Sequence, residues 1–503
     1  MVNDKRGRPW AAAFMACWLV FWFWHTWGYW EDDAYIHLEY ARHVAQGQGF
    51  MFQGQLSNGD TSPAWVLMLA GIAGWAADWW LGGKLLTVLS LGFTLAVLWH
   101  FVRRLEADWP GEGAAASQAP WVLCLFVASP YFCYWAFSGM EALLAGGWLL
   151  AQALLLVPRR ATPATVLGAA LCMGVGPLLR PEFVLLFAVG GPFLLWQWHR
   201  LSAPWAPTRR WGLFVAAAVL LALPLACWSA YAMHAFGHVM PNTNAAKRAM
   251  PGEPVASRMV QVMALGYPGI YLAAAVLAGS ALWAGARIRT ARSGVPPLAW
   301  PVLLACGAIL VFYVLNRTQV QTRYVTALAP ALLAVGWVAL ARWAPPRARQ
   351  MATVFTLLLG LSTSVLMAYP HLRNKVEGIE RTHQLAEHIK ATLPAGTRIA
   401  VYSIGQLGLE LPEHVLVDVG GITQPAAVPY LMRGGAAVVV WARSQGATHY
   451  VWGSAPEPGS EALAEFTLGQ TSWYLNPARY EERAYMRLWR LPEESTLAIS
   501  PMP

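Results

Sequence analysis

Apolar runs long enough to cross a hydrocarbon core recur almost without pause between Trp10 and Tyr369. A bilayer asks for about 20 apolar residues per helical crossing, and a soluble core seldom contains more than one such run. Twelve can be drawn here: 10 to 30, 63 to 80, 83 to 102, 120 to 137, 138 to 157, 164 to 180, 181 to 198, 211 to 233, 268 to 287, 298 to 315, 323 to 341 and 351 to 369. Composition agrees, with 57% hydrophobic and 12% charged residues. The first run has no small-residue cleavage site, so it is expected to stay as a first helix and not to be lost as a signal peptide.

A formal charge of +9 raises nucleic acid as a partner, but the arginines sit in short clusters between apolar runs and not along one face. Such clusters orient membrane proteins, because loops rich in Lys and Arg stay in the cytoplasm. Lys5, Arg6 and Arg8 therefore place the N-terminus inside. Arg159/Arg160, Arg209/Arg210, Arg287/Arg289/Arg292 and Arg342/Arg347/Arg349 mark further inner loops, consistent with five crossings between 211 and 369. Arg103/Arg104 leave the run 63 to 80 no room to cross, so a periplasmic or re-entrant segment is expected there. The count is then about eleven crossings, within 11 to 13 transmembrane helices, with the C-terminus outside. The six cysteines lie in or beside apolar runs without paired spacing, so neither zinc nor structural disulfides are expected.

After Pro370 the composition turns polar, dividing the chain into a membrane domain, 1–370, and a small α/β domain, 371–503. Helical periodicity is expected at 382 to 393 and 436 to 444, and strands at 398 to 403, 415 to 419, 448 to 452 and 484 to 491.

The stretch richest in chemistry is the first external loop, 31–62, read as Glu31-Asp32-Asp33-Ala-Tyr35-Ile-His37-Leu-Glu39-Tyr40-Ala, then Gly47-Gln-Gly49-Phe50, then Asn58-Gly59-Asp60-Thr61-Ser62-Pro63-Ala-Trp65. Carboxylates at an apolar boundary lose water and gain proton affinity, which suits a general base. Solvation of a helix end is the plain alternative. His37, one helical turn beyond Asp33, is placed to hydrogen-bond a carboxylate, but a position at the surface is the expected one. Ser138-Gly139-Met140-Glu141 falls at another turn between runs, while Leu179-Arg180-Pro181-Glu182 interrupts an apolar stretch with charges that need partners. An Arg180–Glu182 pair and a ligand anion are both open there.

In its D-D-A-Y-I, G-x-G and G-x-T-S-P-x-W pattern, the first loop resembles that of GT-C fold glycosyltransferases. The resemblance is to the bacterial branch similar to mycobacterial arabinofuranosyltransferases. Glu39 departs from it, standing where that branch usually has Arg. Met240-Pro241-Asn242-Thr243-Asn244-Ala-Ala-Lys247 is similar to the branch's P-N-T-x-x-x-K loop, and Arg323-Tyr324 with Pro330 to its R-Y-x-x-x-x-x-P element. Ile404-Gly405 and Asp418-Val-Gly-Gly421-Ile-Thr423-Gln-Pro425 echo its C-terminal extension.

The resemblance implies an inverting transferase in a bacterial inner membrane. It would take a sugar, arabinofuranose by the nearest branch, from a polyprenyl-phosphate donor to a glycan, lipid or protein acceptor. It assigns the base to Asp32. Asp33 and Glu141 would orient base or acceptor, or hold a divalent cation if one is used; no metal or cofactor is expected to be required. Arg180, Lys247 and Arg323 would hold the donor phosphate through a planar fork or a point charge, with Asn242, Thr243 and Tyr35 beside them. Two other readings compete. A flippase of lipid-linked sugars would be expected to carry charges and broken helices in two repeated halves, and no such repeat is visible. A non-enzymatic assembly protein would have no use for clustered external carboxylates.

Overall fold

The computed structural model describes residues 4–76, 78–109, 117–249, 295–316, 322–343, 346–470, 483–495 and 497. The expected span 268 to 287 and the Arg287/Arg289/Arg292 cluster lie outside the described residues.

Helix α1 (Asp4–His25) leads through a turn into α2 (Asp32–Ala45), whose residues from Ala34 to Ala41 are all buried. A two-stranded hairpin, β1 (Met51–Phe52) and β2 (Gln55–Leu56), follows. Its turn residues Gln53 (φ 46°) and Gly54 (φ 75°) are both left-handed, as a two-residue hairpin turn demands.

Helix α3 (Pro63–Ala76) has 14 residues, about 21 Å, which is short of a full crossing. Helix α4 (Trp79–Asp108) covers the next run and packs on α3 and on α7 (Ala142–Leu156). The run expected as one span at 120 to 137 is broken into α5 (Ala119–Val127) and α6 (Pro130–Trp135). Ser129 caps the second piece with its hydroxyl, and Pro130 cannot continue the first.

Helix α8 (Pro163–Leu179) stops where Arg180 turns extended (φ −147°, ψ 121°), ahead of a 3₁₀ turn, Pro181–Val184, and α9 (Leu185–Ser202). The polar interruption in that apolar stretch is therefore a real break in the helix. Helices α10 (Pro207–Phe236), α11 (Asn242–Ala249) and α12 (Ala299–Leu315) come next. The run at 323 to 341 divides into α13 (Thr322–Thr326) and α14 (Ala329–Trp343), with Pro330 at the start of the second.

Helix α15 (Pro346–Thr363) runs through a π turn, Ser364–Ala368, straight into α16 (Tyr369–Thr392). Helix thus crosses the compositional boundary at 370 unbroken, and the helix expected at 382 to 393 is its last part. Pro370 falls inside this continuous helix, directly after the π turn. Among the described residues, Trp79–Asp108, Pro207–Phe236 and Arg347–Thr392 are long and apolar enough to cross a bilayer, and five shorter apolar helices accompany them. This is a membrane protein.

The C-terminal domain holds a five-stranded sheet in the order β4-β3-β5-β7-β6. Strand β3 (Arg398–Val401) runs parallel to β4 (Val415–Asp418) and β5 (His449–Trp452), while β7 (Arg483–Arg490) is antiparallel to β5 and β6 (Glu461–Gln470). Four strands match the sequence expectation; β6 was not expected. Helices α17 (Gly405–Glu410) and α19 (Gly435–Ser444), with α18 (Val428–Leu431) between them, complete the unit. Loops leave a parallel sheet from the carboxyl ends of its strands, where sites in such folds gather; here Ile404-Gly405 and Asp418–Thr423 leave from those ends.

Candidate active site

Two acid-bearing turns are bound side by side before any ligand is considered. Lys84, buried in α4, donates to the carbonyls of Thr26 (3.2 Å), Tyr29 (2.6 Å) and Phe137 (2.9 Å). Its ammonium also lies 5.3 Å from the ring centre of Trp30 and 5.1 Å from that of Trp80. The end of α1 and the turn before Glu141 are thereby held to one cation. Glu31 N donates to Ser138 O at 3.0 Å, and Gly139 is left-handed (φ 83°) beneath Trp30, where a Cβ would strike the indole. Sequence reading passed over Lys84, because one Lys within an apolar run gives no hint of three distant carbonyls.

Charges from five places meet here: α2, the turn before α7, the break after α8, α11 and α13. Arg180 Nη1 donates to Glu141 Oε1 at 2.5 Å and its Nε to Glu182 Oε1 at 2.9 Å; the hydroxyl of Tyr313 also donates to Glu182. The Pro181 break lets residues i and i+2 face each other, which a regular helix forbids. Arg323 Nη2 donates to Asp33 Oδ2 at 2.5 Å. Lys247 Nζ donates to the Tyr324 hydroxyl at 3.0 Å, and among the described residues no carboxylate pairs with it. The Tyr324 ring sits among all three cations, 4.8 Å from the Arg180 guanidinium, 5.5 Å from that of Arg323 and 5.7 Å from Lys247 Nζ.

These groups enclose a cavity of about 400 Å³. Its lining combines apolar residues such as Leu178, Val184, Leu225 and Phe312 with Arg180, Lys247, Arg323, Glu141, Glu182 and Asp60. Sharing Asp60, Thr61, Thr243, Lys247 and Arg323 with it is a recess of about 20 Å³, onto which Asp33, His37, Met140 and Ile422 also face.

His37 is a correction. It is buried, 4% exposed, with Nδ1 2.8 Å from Asp60 Oδ1 and Nε2 3.7 Å from Glu141 Oε2. Burial alone would lower its pKa, but Asp60, Glu141 and Asp33 together raise it. Burial likewise opposes ionisation of Asp33, yet Arg323 and Lys247 hold its carboxyl well below the usual range. Glu141 is depressed in the same manner, burial being outweighed by Arg180 and then His37.

Asp32 behaves differently. Its oxygens accept from the backbone N–H groups of Gly405 (3.3 Å) and Gln406 (3.1 Å), at the start of α17 in the C-terminal domain. Burial and the neighbouring Asp33 charge push its pKa up to about 6, against the pull of those two N–H groups. Asp32 lines neither cavity, whereas Asp33 does.

Of the remaining expected site residues, Thr243 lines both spaces and its hydroxyl donates to Gly59 O. Asn242 is buried beside the first external loop, its N–H donating to Asn58 O at 2.9 Å, and lies off the cavity wall; Asn244 lines the wall instead. Tyr35 is buried against Trp30 and also lines neither space. Glu39 pairs with Arg42 (2.7 Å) and His43 (3.0 Å) on its own helix. The candidate carboxylates each contact a cation, a histidine or backbone N–H groups, and no trio of His, Cys, Asp and Glu converges at metal-ligand distance among the described residues.

No family model and no curated protein matches the sequence. Solved structures do match. ArnT from Cupriavidus metallidurans bound to undecaprenyl phosphate superposes with a TM-score of 0.59 at 14% identity, over 98% of this chain and 99% of that one. The apo state of the same protein gives 0.57 at 14% identity, over 96% and 98%. Over nearly its whole length, then, this chain has a GT-C fold: a helical membrane body carrying a small C-terminal sheet domain.

Proposed function

We propose that the chain is an inverting glycosyltransferase of the bacterial inner membrane, moving a sugar from a polyprenyl-phosphate donor to a cell-envelope glycan, lipid or protein acceptor at the periplasmic face. The observation that carries this reading is the cavity of about 400 Å³, lined by apolar side chains together with three cations, which shares lining residues with the recess of Asp33. A prenyl phosphate is an amphiphile of that kind. The similarity to a fold whose crystal structure holds undecaprenyl phosphate supports it.

Lys247 and Arg323 receive the donor phosphate in this reading, with Arg180 behind them, its charge largely committed to Glu141 and Glu182. The resemblance gave the base to Asp32. Because Asp32 is turned to the N–H groups of α17, the role passes to Asp33, and Asp32 becomes a positioning residue that docks the C-terminal domain. An acid with a depressed pKa is a weak base. The donor corrects this: its phosphate draws on Arg323 and Lys247, the same cations that depress Asp33, and the proton affinity of Asp33 rises as the site fills.

The acceptor oxygen then forms a bond to the anomeric carbon as the bond from that carbon to the phosphate oxygen breaks. The hydroxyl proton passes to Asp33, and the electron pair leaves on the prenyl phosphate, neutralised by Lys247 and Arg323. Attack opposite the leaving group inverts the centre. Arabinofuranose is the proposed sugar, on the first-loop resemblance.

The test is the binding of undecaprenyl phosphate, read as thermal stabilisation in detergent, together with release of labelled sugar from undecaprenyl-phosphate pentoses and hexoses. Wild type should be stabilised and active, and Lys247→Met should lose most of the stabilisation. Failure of wild type to bind undecaprenyl phosphate would overturn the reading.

A further inference from the structure

Asp418 ends β4, and its carboxylate accepts from the loop it begins: Gly420 N at 2.9 Å, Gly421 N at 3.1 Å, Thr423 N at 2.6 Å and Thr423 Oγ1 at 3.0 Å. Gly421 takes φ 74°, a conformation that glycine adopts without strain. These bonds wind 418–423 into a compact turn. Its outer side is tied to the membrane domain, since Ser57 Oγ donates to Thr423 O at 2.8 Å and a Cβ on Gly59 would come within 2.8 Å of Ile422 O. Gln53 adds a second tie, donating to Gly408 O (3.3 Å) and Leu411 O (3.2 Å) while accepting from Leu416 N (2.9 Å).

The consequence is that one residue of the C-terminal domain, Ile422, lines the recess beside Asp33, His37 and Arg323. Its apolar companions there are Ile36 and Met140. A recess of about 20 Å³ holds little more than one water-sized group. With the donor taken into the larger cavity, as proposed above, this smaller space is the one left beside Asp33 for the acceptor hydroxyl. A hydroxyl on an unbranched carbon fits such a space better than one flanked by two carbon substituents.

Resting on the transferase reading above, we infer that the Asp418–Thr423 loop is an acceptor-selecting element, and that Ile422 favours acceptors whose reacting hydroxyl is primary. The carboxylate of Asp418 positions Ile422 and does not touch substrate. Removing bulk at 422 should admit a branched carbon, and one methylene more or less in an apolar pocket is worth about tenfold or more in selectivity.

The experiment offers 1-propanol and 2-propanol in competition to the full-length protein in detergent, with labelled undecaprenyl-phosphate sugars as donors, and reads the ratio of the two glycosides. Wild type should favour 1-propanol. Ile422→Ala and Asp418→Asn should shift the ratio toward 2-propanol by about tenfold, Ile422→Val should shift it less, and stabilisation by undecaprenyl phosphate should persist in all three. A wild type that transfers sugar to neither alcohol nor water overturns the transferase reading and this inference with it. A wild type that transfers sugar without preference, or an Ile422→Ala ratio equal to wild type, overturns the inference alone.

Discussion

Replacing Lys84 by Met should weaken the fold and slow turnover together, because one ammonium ties the turn carrying Asp33 to the turn carrying Glu141. The methionine stem fills the slot between Trp30 and Trp80, so packing is nearly kept while the donor is lost. Thr26 O still accepts from Tyr29 N at 3.0 Å. The carbonyls of Tyr29 and Phe137 lose their Lys84 bonds, and each buried carbonyl left unpaired costs about 1–3 kcal/mol. Relief from burying a charge offsets part of this, leaving a net destabilisation of about 2–4 kcal/mol. At roughly 2 °C per kcal/mol or less for a long chain, the midpoint of unfolding in detergent should fall by about 4 °C. Turnover should fall further than this suggests, since a displacement of about 1 Å between reacting groups costs about a hundredfold. Affinity for undecaprenyl phosphate, which we propose Lys247 and Arg323 set from other elements, should change little. A Lys84→Met protein with wild-type melting and wild-type turnover would refute the tie.

Three further outcomes are expected. Asp32 has a raised pKa, so the fold favours its protonated form; that contribution is complete below the ordinary Asp pKa and fades as pH rises through about 6. Wild type should therefore lose melting temperature between about pH 4 and pH 6 relative to Asp32→Asn, and parallel profiles would contradict this. Arg180→Met removes the cation shared by buried Glu141 and Glu182, leaving them His37 and Tyr313, and should destabilise by about 3 kcal/mol. Adding Glu182→Gln should recover part of that loss, and strict additivity in the double-mutant cycle would be the adverse result. Alkaline phosphatase fused after Pro503 should be active, because an outward C-terminal domain follows from the Arg-rich loops; an inactive phosphatase beside an active cytoplasmic reporter would reverse the topology.

What could be read from the chain beforehand follows physical range. Apolar runs and cationic loops report a bilayer directly, since length and charge act locally. The breaks at Ser129-Pro130 and Arg180-Pro181 are written in proline chemistry; the second was anticipated and the first was not. The family resemblance singled out Asp33, Glu141, Arg180, Lys247, Arg323 and Thr243, which the fold gathers from loops and helix ends far apart in sequence, and also Asp32, Asn242 and Tyr35, which line neither space. Choosing between Asp32 and Asp33 was beyond sequence, because adjacent residues on a helix start diverge by about 100°. Which of them faces the recess depends on where α17 docks, a contact spanning some 370 positions. His37 was misplaced for the same reason: its partners Asp60 and Glu141 arrive from other turns.

The most direct measurement is transfer of labelled sugar from undecaprenyl-phosphate donors by Asp33→Asn beside Asp32→Asn, with undecaprenyl-phosphate binding measured on the same preparations. Asn keeps the side-chain shape and removes the proton acceptor, so Asp33→Asn should lose about 10²- to 10⁴-fold in turnover while still binding undecaprenyl phosphate. Asp32→Asn should retain measurable transfer. Wild-type turnover in Asp33→Asn, or an inactive Asp32→Asn beside an active Asp33→Asn, would contradict the assignment of the base.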